Sequence, residues 1–269
     1  MPRQTLAVKD AGRLNHGGDM KPILRETKRF AADLTDTIWP QRSILSGHPA
    51  RGALTPEDFT ALSFITGPVC QSCGQPQEID LGTDTICAAC TARPPPWTTA
   101  RAALAYDDVS RKPILALKRQ GRRDGLKVMA RWMCLSGQEA VAKSNLIVPV
   151  PLHYRRLVSR GYNQSGWLAA EISRQTGLAL FQTALKRTRA TPSQAGLSRR
   201  ARARNVKGAF SVRRSHVKLI SGKKVLLVDD VLTTGATLGA AARALAKAGA
   251  EEIHALVLAR VVQPTDITI

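Results

Sequence analysis

The sequence has 269 residues, is 43% hydrophobic, and carries 40 lysines and arginines against 20 acidic residues, for a net charge of +20. This length and apolar content predict a globular chain with a substantial core, and the charge makes phosphate-rich partners the expected ones. The first residues lack the apolar core of a signal peptide, and no apolar run approaches the roughly 18 residues of a membrane span. We therefore expect a cytoplasmic protein without membrane insertion.

The N-terminal quarter has little regular pattern. Residues 1–23 are polar and aperiodic, which predicts a disordered tail. Residues 24–39 place apolar side chains at helical intervals, which predicts a short amphipathic helix. The stretch SILSGHP at 43–49 then matches CQSCGQP at 70–76 at its glycine and proline. Serine does not replace a zinc thiolate, so this degenerate knuckle-like region, within residues 24–66, indicates either a knuckle that lost its metal or a chance match.

Four cysteines form two C-x2-C pairs separated by thirteen residues, a spacing typical of zinc sites. They are Cys70, Cys73, Cys87 and Cys90. Two thiolate pairs on tight turns supply the four ligands of a tetrahedral Zn²⁺ site, and a segment as small as residues 67–93 needs such a clip to fold. Two disulfides are the alternative, which a cytosolic location disfavours. We predict a zinc ribbon whose metal is structural.

The run RPPP at 93–96 predicts a stiff linker over residues 94–98 and a domain boundary. Beyond it, short apolar runs alternate with helical patterns. This alternation predicts an α/β domain over residues 99–269, with a mostly parallel sheet flanked by helices. The predicted strands are 101–107, 145–151, 224–230 and 252–260, and the predicted helices are 163–177 and 237–249.

Positive charge is concentrated in two stretches. Residues 186–224 contain thirteen basic residues and no acidic one, and residues 111–131 contain eight basic residues against the single Asp124. Like-charged blocks of this kind are typical of interaction segments, and a solvated surface is the alternative.

The stretch VDDVLTTGATL places Asp229 and Asp230 at the end of an apolar strand, directly before a turn and a helix. Backbone N–H groups, hydroxyls and the helix N-terminus can together hold a dianionic phosphate there. The residues of this predicted cradle are Thr233, Thr234, Gly235, Ala236 and Thr237. The carboxylates accept hydrogen bonds, so a ribose 5-phosphate, which offers both a phosphate and hydroxyl donors, fits the pair. The alternative is an acid pair that only caps a turn. The chain contains neither a P-loop nor a dinucleotide-binding fingerprint.

Several motifs together resemble a known family. VLLVDDVLTTGATL resembles the phosphoribosyl pyrophosphate loop of the type I phosphoribosyltransferases. With the cysteine pairs, IVPVPLHYRRLVSRGYNQS at 147–165 and RTRATPSQAGLSRRARARNVKGAF at 187–210, the chain is similar to the ComF family of competence proteins. The resemblance covers residues 67–260. It implies a zinc ribbon before a type I phosphoribosyltransferase-like domain, and a link to the uptake of transforming DNA.

The resemblance also implies roles for individual residues. Asp229 and Asp230 would contact the ribose, and residues 233–237 would hold the 5′-phosphate. The turn after the second predicted strand and the basic segment 189–204, which corresponds to a mobile closing loop, would face the pyrophosphate. The residues implied on that side are His153, Arg155, Arg160, Gln194 and Arg204. For His153, a surface position is the alternative to a role as a base.

If the protein is an enzyme, the implied reaction is displacement of pyrophosphate at C1 of the sugar, assisted by Mg²⁺ and cationic side chains. No segment that would bind a particular nucleobase is evident, so the acceptor is unidentified. The alternative is a non-catalytic competence module that senses a nucleotide or phosphoribosyl pyrophosphate and binds single-stranded DNA or DNA-uptake proteins. A transcriptional regulator is a third class, but no helix-turn-helix is evident in the sequence.

Overall fold

The computed structural model describes residues 42–78, 85–189, 204, 206 and 208–262, and the segment Arg42–Ile269 forms one compact unit. The predicted tail at 1–23, the predicted helix at 24–39 and Gln194 lie outside the described residues.

A five-stranded parallel sheet is the centre of the fold. Its strands are β1 (Thr99–Ala105), β2 (Leu146–Pro149), β3 (Ala179–Leu180), β6 (Lys224–Leu232) and β7 (Glu252–Arg260). Two further strands, β4 (Leu185–Arg187) and β5 (Phe210–Val212), form a separate antiparallel ribbon. The strand order is β1-β7-β6-β2-β3, which places β6 in the middle. The sheet confirms the predicted α/β class.

The middle strand β6 is apolar over residues 225–228, and all four side chains are fully buried. A strand in the middle of a parallel sheet is covered by helices on both faces, so a continuous apolar run is what this position requires. The pairing of β6 with β7 continues beyond the predicted end, through Asp229 to Leu232. The two acids are therefore part of the last, hydrogen-bonded stretch of β6.

Helices cover both faces of the sheet. Those of the described residues are α1 (Pro56–Thr60), α2 (Ala88–Ala92), α3 (Arg111–Gln120), α4 (Leu126–Ser136), α5 (Gln138–Lys143), α6 (Tyr154–Arg160), α7 (Gln164–Thr176), α8 (Arg214–Ile220) and α9 (Ala236–Lys247). In this part of the chain, none of the helices combines the length and the apolar character needed to cross a membrane.

Alternate residues of β6 point into two separate cores. Leu226 packs with Met133 of α4 and Leu168 of α7 on one face. Leu227 belongs to the core on the other face, which includes Leu245 of α9. This alternation follows from the two-residue period of a strand and fixes which helices flank the end of β6.

The basic stretch at 186–224 contains a central segment that is flanked on both sides by the ribbon strands β4 and β5. Arg187 pairs with Phe210, so the chain leaves and re-enters the ribbon at the same point. The predicted closing segment 189–204 lies mostly outside the described residues, and its last residue, Arg204, is exposed.

The cysteine segment packs on the edge of the sheet formed by β1 and β7. Trp97, Arg101 and Arg260 donate side-chain hydrogen bonds to backbone carbonyls of residues 71–73. These bonds satisfy carbonyls that a small ribbon leaves unpaired, and they hold the ribbon to the sheet. The domain limits given above stay predictions.

Two glycines allow a test of this packing. Gly47 and Gly74 both have positive φ, 77° and 71°. A Cβ at Gly74 would lie 2.5 Å from the carbonyl oxygen of Ala100 in β1, whereas a Cβ at Gly47 would meet nothing within 4 Å. We expect Gly47→Ala to cost about 1 to 2 kcal/mol of unfolding free energy, the backbone strain alone. Gly74→Ala should cost about 1 to 3 kcal/mol more, because the ribbon must move away from β1. Chemical denaturation measures both variants, and equal losses would contradict the packing described here.

Candidate functional site

Asp230 is 5% exposed and is held by two side chains. Lys118 Nζ, in the last turn of α3, lies 2.8 Å from Asp230 Oδ1. Gln164 Nε2, at the start of α7, donates a hydrogen bond to Asp230 Oδ2 at 2.6 Å. A buried carboxylate is stable only with such partners, since burial alone disfavours the charged form. Asp230 is therefore a fixed, paired acid.

Asp229 has a different environment. Its Oδ1 accepts hydrogen bonds from Ser165 Oγ at 2.8 Å and from the Asp230 backbone N–H at 2.9 Å. Burial and the adjacent charge of Asp230 raise the pKa of Asp229 to about 7, against the effect of these hydrogen bonds. The pKa of Asp229 is thus well above that of an ordinary aspartate.

The turn after β6 presents polar groups to the same region. Gly235 has φ +74° and caps α9, and no side chain caps this helix end. The left-handed conformation favours glycine, and a Cβ there would also lie 3.0 Å from the Trp97 ring. The Thr234 hydroxyl oxygen is buried and has no hydrogen-bond partner among the described residues. A buried hydroxyl without a partner costs free energy, so this turn is suited to an incoming acceptor such as a phosphate oxygen.

The acids and the turn line a cleft of about 450 Å³. Of the predicted cradle, Thr233, Gly235, Ala236 and Thr237 line it, together with both acids, whereas Thr234 is not among the lining residues. The cationic side chains in its described lining are Lys118, Arg156, Arg160 and Arg187. Burial and the neighbouring Arg156 lower the pKa of Arg187, and Asp229 acts in the opposite direction. The described lining of the cleft therefore combines two acidic side chains with four cationic ones.

The predicted pyrophosphate-side residues divide into two groups. Arg160 lines the cleft and donates to Gln164 Oε1 at 2.8 Å. His153 and Arg155 are not among the lining residues. His153 caps α6, where its Nδ1 accepts from the Arg155 backbone N–H at 3.2 Å, and the Arg155 side chain is exposed. Arg204 is also outside the cleft lining.

Sequence reasoning missed several residues of the site, namely Lys118, Arg156, Gln164, Ser165 and Arg187. Gln164 and Ser165 had a usable signal, because a polar Gln-Ser pair opens the predicted helix directly after the turn at Gly161. Arg156 lies next to the predicted Arg155, and the helix register decides between them. Lys118 had no signal, since its contact with Asp230 spans more than 100 residues of sequence.

The four cysteines of the predicted zinc site lie together. Their sulfur atoms are all within 4.8 Å of one another. Cys70 Sγ accepts backbone hydrogen bonds from Cys73 and Cys87 at 3.5 and 3.3 Å. A hydrogen bond with the Cys73 thiol and these backbone bonds lower the pKa of Cys70 to about 4. A thiolate with backbone donors, surrounded by three further sulfurs, is a donor set that suits Zn²⁺, so the cluster could bind this metal.

Comparison with known proteins agrees with this geometry. The model of the phosphoribosyl transferase domain family matches residues 141–266, which include β2, β6 and the turn before α9. DNA utilization protein YhgH of Escherichia coli K12 is 33% identical to this chain over 197 residues, which cover 71% of this chain and 84% of that protein.

Two competence proteins are also similar. Competence protein F of Haemophilus influenzae is 38% identical over 139 residues, which cover 50% of this chain and 60% of that protein. Competence protein ComFC of Bacillus subtilis is 25% identical over 205 residues, which cover 70% and 75% of the two chains. The chain belongs to the ComF family of competence proteins. The ComF resemblance predicted from the motifs is thus confirmed, and the ComF chain contains a phosphoribosyltransferase-type domain.

The raised pKa of Asp229 predicts a pH dependence of stability. A carboxyl whose pKa is higher in the folded than in the unfolded state loses its contribution as pH rises from about 4 to about 7. We expect Asp229→Asn to flatten this decline and to be more stable than the native protein at pH 8, by a few kcal/mol at most, at about 1.4 kcal/mol per pKa unit. Thermal unfolding between pH 5 and pH 8 measures the effect. Asp108→Asn, at a side chain that is 89% exposed, is the control. Parallel profiles for the native protein and Asp229→Asn would contradict the prediction.

Proposed function

We propose that this ComF protein binds phosphoribosyl pyrophosphate, or a ribose 5-phosphate nucleotide, in the cleft at the end of β6. The observation that carries the proposal is that Asp229 and the turn residues Thr233, Gly235, Ala236 and Thr237 line the same cleft as four of the described cationic side chains. The Thr234 hydroxyl of the same turn lies outside that lining, is buried and has no hydrogen-bond partner among the described residues. A phosphate oxygen would accept from the hydroxyls of this turn, that of Thr234 included, and from the N–H groups at the start of α9. Ribose hydroxyls would donate to Asp229.

The contacts give the two acids different tasks in this proposal. Both oxygens of Asp230 already have partners, Lys118 and Gln164. We therefore assign the main ribose contact to Asp229, and we assign to Asp230 the positioning of Lys118 at the cleft wall. Because donated hydrogen bonds favour an ionised carboxylate, ribose binding would lower the pKa of Asp229 from its value of about 7.

The cationic side chains of the cleft suit the pyrophosphate group. Lys118, Arg156, Arg160 and Arg187 supply donors and positive charge within one cavity. Mg²⁺ would enter with the ligand and spread the negative charge over the phosphate oxygens. The carboxylate of Asp229 and the ligand oxygens are the hard donors that this cation prefers.

Turnover would require an acceptor. The bond from C1 of the sugar to the pyrophosphate oxygen breaks, pyrophosphate leaves with the electron pair, and the acceptor forms the new bond to C1. The described lining of the cleft contains no histidine, so the protein's contribution rests on charge stabilisation by Arg156, Arg160 and Arg187.

The names of the relatives support a biological role for this binding site. Those named for DNA utilization and for competence support a role in DNA uptake, with DNA-uptake proteins as partners. We propose that the protein acts in the cytoplasm and that Cys70, Cys73, Cys87 and Cys90 hold one structural Zn²⁺.

The second candidate function is a non-catalytic module that binds single-stranded DNA. Its support is the basic stretch at 186–224. The aromatic side chains offer less support, because Trp167 stacks with Tyr162 at 4.2 Å and with the Arg123 guanidinium at 3.9 Å. Groups at these distances occupy the ring faces that a base would need for stacking.

Thr234→Val tests the phosphate position. The hydroxyl has no partner to lose in the unliganded protein, so we expect stability to be unchanged or about 1 kcal/mol higher. Affinity for phosphoribosyl pyrophosphate should fall about tenfold or more, because a hydrogen bond to a charged group is lost. Thermal unfolding and titration calorimetry give the two values. Thr176→Val, which removes a hydrogen bond to Ile172 within α7, is the control and should keep the native affinity. Native affinity in Thr234→Val would remove the phosphate assignment.

Arg156→Ala and Arg155→Ala form a matched pair on adjacent residues of α6. Arg156 lines the cleft and Arg155 is exposed outside it. We expect Arg156→Ala to weaken phosphoribosyl pyrophosphate about ten- to a hundredfold in the presence of Mg²⁺, and Arg155→Ala to leave the affinity unchanged. Equal effects would show that the cleft is not the binding site.

Pyrophosphate release with a panel of nucleobase and amine acceptors separates the transferase from the non-catalytic module, since binding without release favours the non-catalytic module.

A further inference from the structure

The segment 42–61 repeats the backbone hydrogen bonding of the cysteine segment. In the turn 43–48, the first N–H donates to the last carbonyl at 2.8 Å, and the turn 70–75 contains the same bond at the same length. Gly47 and Gly74 occupy the same place in each turn, with φ of 77° and 71°. An isolated antiparallel bridge closes each turn, and the bridged pairs are Arg42 with Pro49 and Val69 with Pro76.

The repeat continues beyond the part that the sequence match covers. The helices α1 and α2 each have five residues and begin after an extended cap residue, Thr55 and Cys87 respectively. Each turn donates one backbone hydrogen bond of 2.9 Å to the segment before its helix, from Ile44 to Ala53 and from Gln71 to Thr85. The correspondence of the four metal-ligand positions is Ser43 with Cys70, Ser46 with Cys73, Thr55 with Cys87, and Asp58 with Cys90.

A carboxylate occupies the centre of the first unit. The hydroxyls of Ser43 and Ser46 both donate to Asp58 Oδ2, the latter at 2.5 Å. Thr55 Oγ1 accepts from the Asp58 backbone N–H at 3.1 Å. Although desolvation acts in the opposite direction, hydrogen bonds from Ser43, Ser46 and Thr55 keep the pKa of Asp58 below its usual value. One oxygen atom of Asp58 thus binds the two serine side chains that stand at the first pair of metal-ligand positions.

These residues do not fit a zinc site. Zn²⁺ in structural sites takes thiolate and imidazole ligands, whereas a hydroxyl stays protonated and is a weak ligand. A single carboxylate with hydroxyl donors is instead satisfied without any cation. We propose that residues 42–61 are a second ribbon unit, in which hydrogen bonds from serine and threonine hydroxyls to Asp58 take the place of the metal.

The metal-free unit is built into the main core. Ile44 and Leu62 are 5% and 6% exposed and belong to the same core as Met129 and Met133 of α4. Removal of zinc by a chelator should therefore leave residues 42–61 folded and packed on the core, whereas the cysteine segment loses the metal that holds it together.

The test restores the missing ligands. We expect the variant Ser43→Cys, Ser46→Cys, Thr55→Cys, Asp58→Cys to hold one more equivalent of zinc per chain than the native protein, measured by elemental analysis under reducing conditions. The matched control places four cysteines at exposed positions of the same segment: Arg42→Cys, His48→Cys, Glu57→Cys, Thr60→Cys. It should hold the native amount. A folded quadruple variant with no additional zinc would overturn the proposal, as would a native protein whose segment 42–61 binds any divalent ion.

A second measurement does not depend on the folding of the cysteine variant. Asp58→Asn should speed amide hydrogen exchange in residues 43–60 about tenfold or more, because charged acceptor bonds are lost, with zinc content unchanged. In the native protein, a chelator should raise exchange in residues 70–78 and 85–92 and leave residues 43–60 protected. Unchanged exchange in Asp58→Asn, or loss of protection in residues 43–60 on chelation, would contradict the metal-free unit.

Discussion

Two adjacent carboxylates at the end of a buried strand repel each other, and the candidate site is arranged around that repulsion. Asp230 is neutralised by Lys118 and held by Gln164, which fixes the last turn of α3 and the start of α7 against the end of β6. Asp229 has hydrogen bonds from neutral donors, and burial together with the adjacent charge of Asp230 raises its pKa to about 7 against the effect of those bonds. The pair is thereby divided into an acid that organises the cleft and an acid that is available to a ligand. A turn that needed only a helix cap would gain no stability from a second carboxylate next to the buried Asp230.

Much of the fold could be predicted because parallel sheets impose a strong pattern. A strand covered on both faces must be apolar throughout, and the helix α7 ends where predicted, at Gly177, which has φ of 76°. The cysteine spacing and the turn after Asp230 are similarly local, since each places its groups together within a few residues. The central strand, the acid pair and the metal-ligand set all belong to this local class.

The rest of the site depends on contacts between residues that are far apart in the sequence, which local patterns do not reveal. Lys118 reaches Asp230 from a helix that precedes β6 by more than 100 residues, and no local pattern distinguishes it from the seven other basic residues of 111–131. The helix α6 has no buried residue, so no apolar face fixes its register, and Arg155 and Arg156 were indistinguishable in the sequence. His153 has the residue type of a base, but it begins a helix and its ring nitrogen caps it. The knuckle-like match at 43–49 was ambiguous for a related reason. The residue at the fourth ligand position of that segment is Asp58, which is neither a serine nor a cysteine. Only its hydrogen bonds with Ser43 and Ser46 identify it.

The segment predicted as a linker has a larger role than spacing. Trp97 donates its indole N–H to the Ser72 carbonyl within the cysteine turn, at 3.0 Å. The same ring lies against the turn after β6, where a Cβ at Gly235 would meet it at 3.0 Å and one at Gly239 at 3.5 Å. One rigid side chain therefore contacts both the cysteine ribbon and the glycine that allows the turn to approach a phosphate. Arg260 adds a second link, because it lies at the carboxyl end of β7, pairs with Leu232 of β6 and donates to the Cys73 carbonyl. Trp97 thus links the ribbon to the turn of the proposed phosphate site, and Arg260 links it to the paired ends of β6 and β7.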